Sequence, residues 1–407
     1  MIEGIVPNAY LSSVDGLSTV QNTDYTLKPF HALTISFFNH LSREILKHPE
    51  LRKSPAFAAL GFWLRKSNLK KILKENQAFI ESRNYRIEPL GLVFHVCPSN
   101  VDTMFFYSLV ISMLAGNKNI VRISSKLDHP QMFDLFDLVN KSLEEEAFKV
   151  FANYINIIKY ERSDEISEAI SLLSDGRIIW GGDETVKQFK SYETKPKVKD
   201  LFFADRVSYS LIKSKVANDL SEDETNNLVQ NLYNDIYTFD QKGCSSPHCL
   251  FLLGDKEQNS LFLKKTYTLI SQLAEENYDT DIGSIATFKF NQITEDILDN
   301  KIESSLHSNN YLILSELKGE VVPETCGTGY LYFVHLADLS EMKNYINRKI
   351  QSLGYYGLSK EDLNLLTDVS YTKGVDRIIP IGQALDFDYI WDGYNILTEL
   401  VSLKTVR

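Results

Sequence analysis

Cysteine is scarce. The 407 residues carry four, Cys97, Cys244, Cys249 and Cys326. Thiols at those spacings make neither a disulfide framework nor a paired Cys-x-x-Cys zinc signature. No metal centre is expected, and a reducing, cytoplasmic setting is. Long apolar runs are missing too. The longest, Met104 to Ala115, is too short for a bilayer span and holds Ser108 and Ser112. Residues 1–13 have neither the basic start nor the apolar core of a secretory signal. Positive charge is in deficit: 43 bases against 54 acids give a net charge of −11. A phosphate backbone or an anionic membrane needs a basic face, so this balance argues against general nucleic-acid or anionic-membrane binding. Neither Gly-x-Gly-x-x-Gly nor Gly-x-x-x-x-Gly-Lys-Ser/Thr occurs, so the common phosphate-cradling loops are absent.

What is present is alternation. Residues 1–25 read as irregular. Leu27 to Lys47 and Ser54 to Lys74 carry apolar residues at helical spacing, with a break from Pro49 to Pro55. A β-rich run from Ile87 to Val96 ends at Pro98. The apolar helix Val101 to Leu114 follows, Gly116 and Asn117 close it, and Asn119 to Ile123 is a short strand. Strand, helix, strand predicts a right-handed parallel crossover. The pattern repeats through strands at Ile155 to Tyr160 and Arg177 to Trp180, then Ser208 to Ile212 and Leu250 to Leu253. Further strands are predicted at Ala286 to Phe290, Tyr311 to Leu314 and Leu331 to His335. Such alternation makes open doubly wound sheets, which bind ligands at the carboxyl ends of their strands. The loops Pro98 to Asn100 and Gly181 to Glu184 are therefore candidates for a cofactor crevice.

The stretch Tyr237 to Pro247 ends in Lys-Gly-Cys-Ser-Ser-Pro and feeds the apolar run Leu250 to Leu253. A small, kinked loop before a buried strand can present Cys244 at a cleft mouth, where a thiolate is a strong nucleophile. A buried core cysteine is the alternative. Asn100 can donate its amide to a developing oxyanion or cap the helix from Val101. Arg122 can hold a ribose or a phosphate, or lie on the surface. His248 can pair with Cys244 or point away along its strand. Cys249 reads as core.

These residues together resemble a family. Pro89-Leu-Gly-Leu-Val93, Pro98-Ser-Asn100, Ala115-Gly-Asn117 and Val121-Arg-Ile-Ser124 look like the cofactor domain of the aldehyde dehydrogenase superfamily. Phe94 to Val101, Ile179 to Thr185, Gln241 to Pro247 and Trp391-Asp-Gly393 are more closely similar to the long-chain acyl-CoA reductase family. That family is the fatty acid reductase component of bacterial bioluminescence. The resemblance spans roughly residues 55–400. It implies an α/β, aldehyde-dehydrogenase-like fold of two domains, each an open doubly wound sheet flanked by helices. Residues 1–205 are then N-terminal helices and an NADP-binding domain, 206–385 the catalytic domain, and 386–407 a C-terminal tail.

The resemblance makes Cys244 the acyl-accepting nucleophile, with Asn100 and the Cys244 main-chain N–H as oxyanion donors. It sets Pro98, Arg122, Ser124, Gly181, Gly182, Asp183 and Glu324 around the cofactor. Glu324 departs from the pattern, since Cys326 stands where an aromatic residue is usual. Oxidising members keep a glutamate base near Phe203 to Arg206, and this chain has none there. The expected reaction is NADPH-dependent reduction of a fatty acyl thioester to an aldehyde. The donor is acyl-CoA or an acyl-carrying protein, an acyl-protein synthetase is an implied partner, and a homo-oligomer is implied. An oxidising aldehyde dehydrogenase and a non-catalytic scaffold that binds the synthetase are the rival readings.

Overall fold

The computed structural model describes residues 2–22, 24–97, 103–125, 129–307 and 309–405. The chain divides into two compact units, residues 1–204 with 387–407, and residues 205–386.

The first unit contributes strands β1 (Ile2–Val6), β2 (Asn8–Leu11), β3 (Tyr85–Pro89), β4 (Leu92–Val96), β5 (Lys118–Ile123), β6 (Ile155–Lys159), β7 (Gly176–Trp180) and β8 (Lys199–Phe203). Seven of them make a sheet in the order β2-β1-β6-β5-β4-β7-β8. Strands β4 to β8 run parallel within it, and β1 joins antiparallel to β6. All five residues of β4 and of β7 are buried, as expected for strands covered on both faces. The helix Met104–Leu114 is buried at every position, which is why its sequence shows no polar face. Sequence order runs outward from β4 through β5 to β6, and on the other side from β7 to β8. The winding therefore reverses between β4 and β7.

The second unit holds β9 (Val207–Lys213), β10 (Pro247–Leu253), β11 (Ile302–His307), β12 (Ile313–Leu317), β13 (Tyr330–Leu336), β14 (Ile350–Tyr356) and β15 (Arg377–Pro380). Their order is β11-β12-β13-β10-β9-β14-β15, parallel except for the edge strand β11. Alternation along β10 sorts its side chains between two cores. Leu250 and Leu252 join Leu232 and Phe262 on one face. Cys249 and Phe251 join Tyr209 and Leu366 on the other. Cys249 is thus a core residue. Two parallel-dominated sheets flanked by helices match the fold class read from the alternation. Among the described residues no helix is long and apolar enough to cross a membrane.

Three local expectations are corrected. Residues 2–11 form a β-hairpin rather than irregular chain. The segment is short, and only Ile2, Gly4 and Val6 are inward, too brief a period-two signal to read. The run Ile87 to Val96 is two strands in different sheets: β3 pairs antiparallel with the C-terminal strand Val401–Thr405, and β4 enters the parallel sheet. Gly91 divides them at φ +140, where any Cβ would sit 2.1 Å from the Asp175 carboxylate. Ala286 to Phe290 lies inside the helix Ile282–Leu298, capped by Asp281, whose side chain accepts from the Gly283 N–H. Its aromatic content mimicked a strand over too short a window.

The residues read as a tail are built into the first unit. Trp391 is buried, Phe387 stacks on it at 5.4 Å, and Tyr107 stacks on Phe387 at 4.5 Å.

Candidate active site

Cys244 is approached through an unusual stretch of backbone. Phe239, Asp240 and Gln241 all have φ between 55° and 61°, three consecutive non-glycine residues in the left-handed region. Such residues persist only where neighbours over-determine them, and they cluster at functional sites. Gln241 does much of that work. Its buried amide donates to the carbonyls of Pro247 at 2.7 Å and Tyr330 at 3.1 Å, and its oxygen accepts from the Gly329 N–H at 2.8 Å. The Asp240 carbonyl accepts from the Thr328 N–H, and its carboxylate from the Tyr278 hydroxyl. The Cys244 loop and the 327–330 segment are thereby one hydrogen-bonded body.

The half-buried Cys244 lies just ahead of β10, the central strand of its sheet. Its neighbours come from the amino ends of β9 and β14. The Ser208 hydroxyl donates to the Cys244 carbonyl at 2.7 Å and accepts from the Ser352 N–H at 3.1 Å. The amide of Gln351, 107 residues along the chain, donates to the Cys244 sulfur at 3.2 Å. Gln351 is fully buried, and its main-chain carbonyl accepts from the Asp376 N–H at 2.8 Å. Arg206 binds the Asp376 carboxylate and the Ile350 carbonyl, bracing the same strand. None of these supports was singled out from sequence. The signal was polar residues inside strands that otherwise read as core, at Ser208 and at Gln351-Ser352.

His248 follows on β10. Burial pushes its imidazole down to about 4 against the opposing pull of the Asp205 carboxylate, so it is neutral at physiological pH. Its Nδ1 is buried with no hydrogen-bond partner among the described residues. Asp205 itself is exposed. Burial holds the Cys97 thiol far above its ordinary range, with Arg122 pulling the other way, which disfavours a thiolate there.

In the first unit the cofactor candidates sit at one end of one sheet. Arg122 is near the carboxyl end of β5, and half-buried Ser124 follows it. The Arg122 guanidinium lies 4.8 Å over the Tyr160 ring, and its Nε is buried without a partner among the described residues. Gly181, Gly182 and Asp183 follow β7, and β4 runs between β5 and β7. Gly181 is required by packing, because its Cβ would meet the Thr185 side chain at 2.9 Å. Gly182 is different. Its φ is −61°, and no atom of the described residues lies within 4 Å of where a Cβ would stand. Asp183 and Glu184 open the helix Asp183–Ser191, an acidic first turn that suits hydroxyl groups better than phosphate. Pro98 and Asn100 fall outside the described residues. Glu324 is exposed in the second unit, on the segment leading to Gly327.

The fold has counterparts among solved structures. Aldehyde dehydrogenase 21 from Physcomitrella patens, in complex with succinate, matches with a TM-score of 0.65 at 12% identity, over 92% of this chain and 85% of that one. The aldehyde dehydrogenase KauB from Pseudomonas aeruginosa matches at 0.63 and 12%, over 96% and 86%. Glyceraldehyde-3-phosphate dehydrogenase GapN from Methanocaldococcus jannaschii, complexed with NADP, matches at 0.61 and 12%, over 92% and 89%. No curated protein matches in sequence. The fold is that of the aldehyde dehydrogenases. Within it, residues 17–403 match the acyl-CoA reductase (LuxC) family, so the chain belongs to that family and is an oxidoreductase of acyl and aldehyde groups.

Proposed function

We propose that this protein reduces a fatty acyl thioester to an aldehyde with NADPH, through an acyl group carried on Cys244. The observation that carries the reading is the setting of Cys244, half-buried ahead of β10 and tied to Ser208 and Gln351. In a family of acyl-CoA reductases, that thiol is the group suited to accept an acyl chain. The Cys244 thiolate attacks the thioester carbonyl. A carbon–sulfur bond forms to Cys244, and the donor's thiolate leaves. The oxyanion that develops is met by the Asn100 amide and the Cys244 main-chain N–H. After reduction, the thiohemiacetal on Cys244 loses its carbon–sulfur bond, the aldehyde departs and the thiolate returns.

A nicotinamide cofactor is supported by aldehyde-dehydrogenase-fold proteins solved with NAD and with NADP. This chain's residues fit one. Among the described residues neither backbone nor packing requires glycine at Gly182, and none of them fills the space where a ligand would lie against its main chain. The Arg122 Nε, without a partner among the described residues, offers a donor on the same sheet. Pro98, Ser124, Gly181 and Asp183 complete the first unit's contribution, and Glu324 is assigned to a ribose. When bound, the cofactor supplies the hydride. The acyl donor is coenzyme A or an acyl-carrying protein loaded by an acyl-protein synthetase, and the same reading takes the enzyme as a cytoplasmic homo-oligomer.

The test omits NADPH. Incubation with acyl-CoA is expected to add one acyl mass to the peptide holding Cys244, and to none in Cys244→Ala. An acyl group found on Cys97 or Cys249, which are both buried, overturns the assignment.

A further inference from the structure

We infer that Gln351 is a catalytic residue whose side-chain amide holds Cys244 as a thiolate and receives the charge back on sulfur when the aldehyde leaves. The inference rests on the reading of Cys244 as nucleophile and assigns a role that reading does not require. A fully buried amide reaches the sulfur at 3.2 Å, within the range of an N–H···S bond. An amide N–H gives up no proton at working pH. It cannot act as a base, so its effect is on the balance between thiol and thiolate. An N–H donor to sulfur favours the charged form.

Two cations near Cys244 are already paired, which gives a neutral dipole a task to fill. On the Cys244 loop, Lys242 is paired with Asp240. Ahead of β9, Arg206 is paired with Asp376, which precedes β15. On β10, His248 is neutral and faces the Asp205 carboxylate. Lys242 and Arg206 are thus each matched by a carboxylate, so neither is left as a counter-charge for a thiolate.

The donor is also aimed. Ser208 binds the Cys244 carbonyl and the Ser352 N–H, so one hydroxyl fixes both the loop that carries the sulfur and the strand that carries the amide. The Asp376 N–H pins Gln351 from the other side. Through a turnover the sulfur is an anion at the start, a neutral thioester or thiohemiacetal sulfur in between, and an anion again at release. The amide therefore stabilises the two ends of the cycle, and its loss slows expulsion of the thiolate.

The experiment reads the pH dependence of Cys244 alkylation by iodoacetamide in the full chain, resolved by peptide mass. The wild-type midpoint is expected below about 8.5, the value of an ordinary thiol. Gln351→Met, close in volume and without a donor, is expected to raise the midpoint by about one to two pH units, the loss of one hydrogen bond to a charged group. Single-turnover aldehyde release should slow about tenfold or more, while acyl-CoA binding changes little. An unchanged midpoint overturns the inference, and a lowered one does so by showing that the amide oxygen faces a thiol. Should Gln351→Met fail to fold, a wild-type midpoint at or above about 8.5 overturns it equally. Absence of acylation at Cys244, with the midpoint shift present, overturns the proposed reaction and not the role of the amide.

Discussion

Ser208 and Cys244 are joined by a hydroxyl-to-carbonyl hydrogen bond of 2.7 Å that closes over the heads of neighbouring strands. The same oxygen accepts from Ser352, so one small neutral side chain fixes main chain from three places in the sequence. Ser208→Ala leaves the Ser352 N–H, and the Cys244 carbonyl, without this partner. Urea unfolding is expected to show a loss of about 1–3 kcal/mol. Acyl transfer to Cys244 is expected to slow by more than acyl-CoA binding weakens. Equal stability together with unchanged acylation would remove Ser208 from the site's architecture.

NADPH is expected to be preferred to NADH. Ser124 and Ser125 follow Arg122, and Lys126 comes next. Hydroxyls and a cation accept a 2′-phosphate where a carboxylate repels it. Steady-state kinetics with both cofactors decides the matter: a higher kcat/KM with NADH refutes the preference.

The acyl-enzyme is expected to pass its acyl group to a thiol much faster than to water. No glutamate lies between Phe202 and Arg206, and Asp205, the carboxylate of that stretch, is exposed. A positioned base contributes about 10²–10⁴-fold to a hydrolytic step, whereas a thiolate needs none. Aldehyde with NADP⁺ should therefore turn over steadily only when an acceptor thiol is supplied. Continuous release of free fatty acid without thiol, lost in Asp205→Asn, would instead make the protein an oxidising dehydrogenase.

Stability is expected to weaken in mild acid through His95. Its ring is fully buried between Ser108 Oγ at 3.1 Å and Asn119 Oδ1 at 2.9 Å, and burial pushes it down to about 4. Between about 6.5 and 4 the unfolded chain takes up a proton that the folded chain refuses. This contribution is complete above about 6.5 and is lost as the pH falls toward 4, by at most about 3 kcal/mol. Urea unfolding of wild type and His95→Gln at pH 7 and pH 4.5 should show the gap between them narrowing in acid. A constant gap would mean that His95 does not titrate in that window.

Much of this was legible in the sequence because parallel strands buried on both faces are continuous apolar words. The run Ile87 to Val96, though it proved to be two strands, and Arg177 to Trp180 announced themselves, and with them the doubly wound class. The family was legible because its motifs lie at the ends of such strands, as at Ile179 to Thr185 and Gln241 to Pro247. The hairpin at residues 2–11 was not, since β1 turns only Ile2, Gly4 and Val6 inward. Ala286 to Phe290 misled because β-favouring side chains were overruled by a capped helix around them. Gln351 and Ser208 stayed hidden for another reason. Their importance comes from long-range pairing of β9, β10 and β14, and nothing within a few residues of either one encodes that neighbourhood.

The pairing of Tyr85–Pro89 with Val401–Thr405 sets an order of assembly. On the ribosome, every strand of the Cys244 unit is made before the last strand of the first unit exists. The half of the protein that begins first is therefore completed last. Until Trp391 arrives to meet Trp180, the nascent chain carries the whole of the second unit while the core of the first is still open.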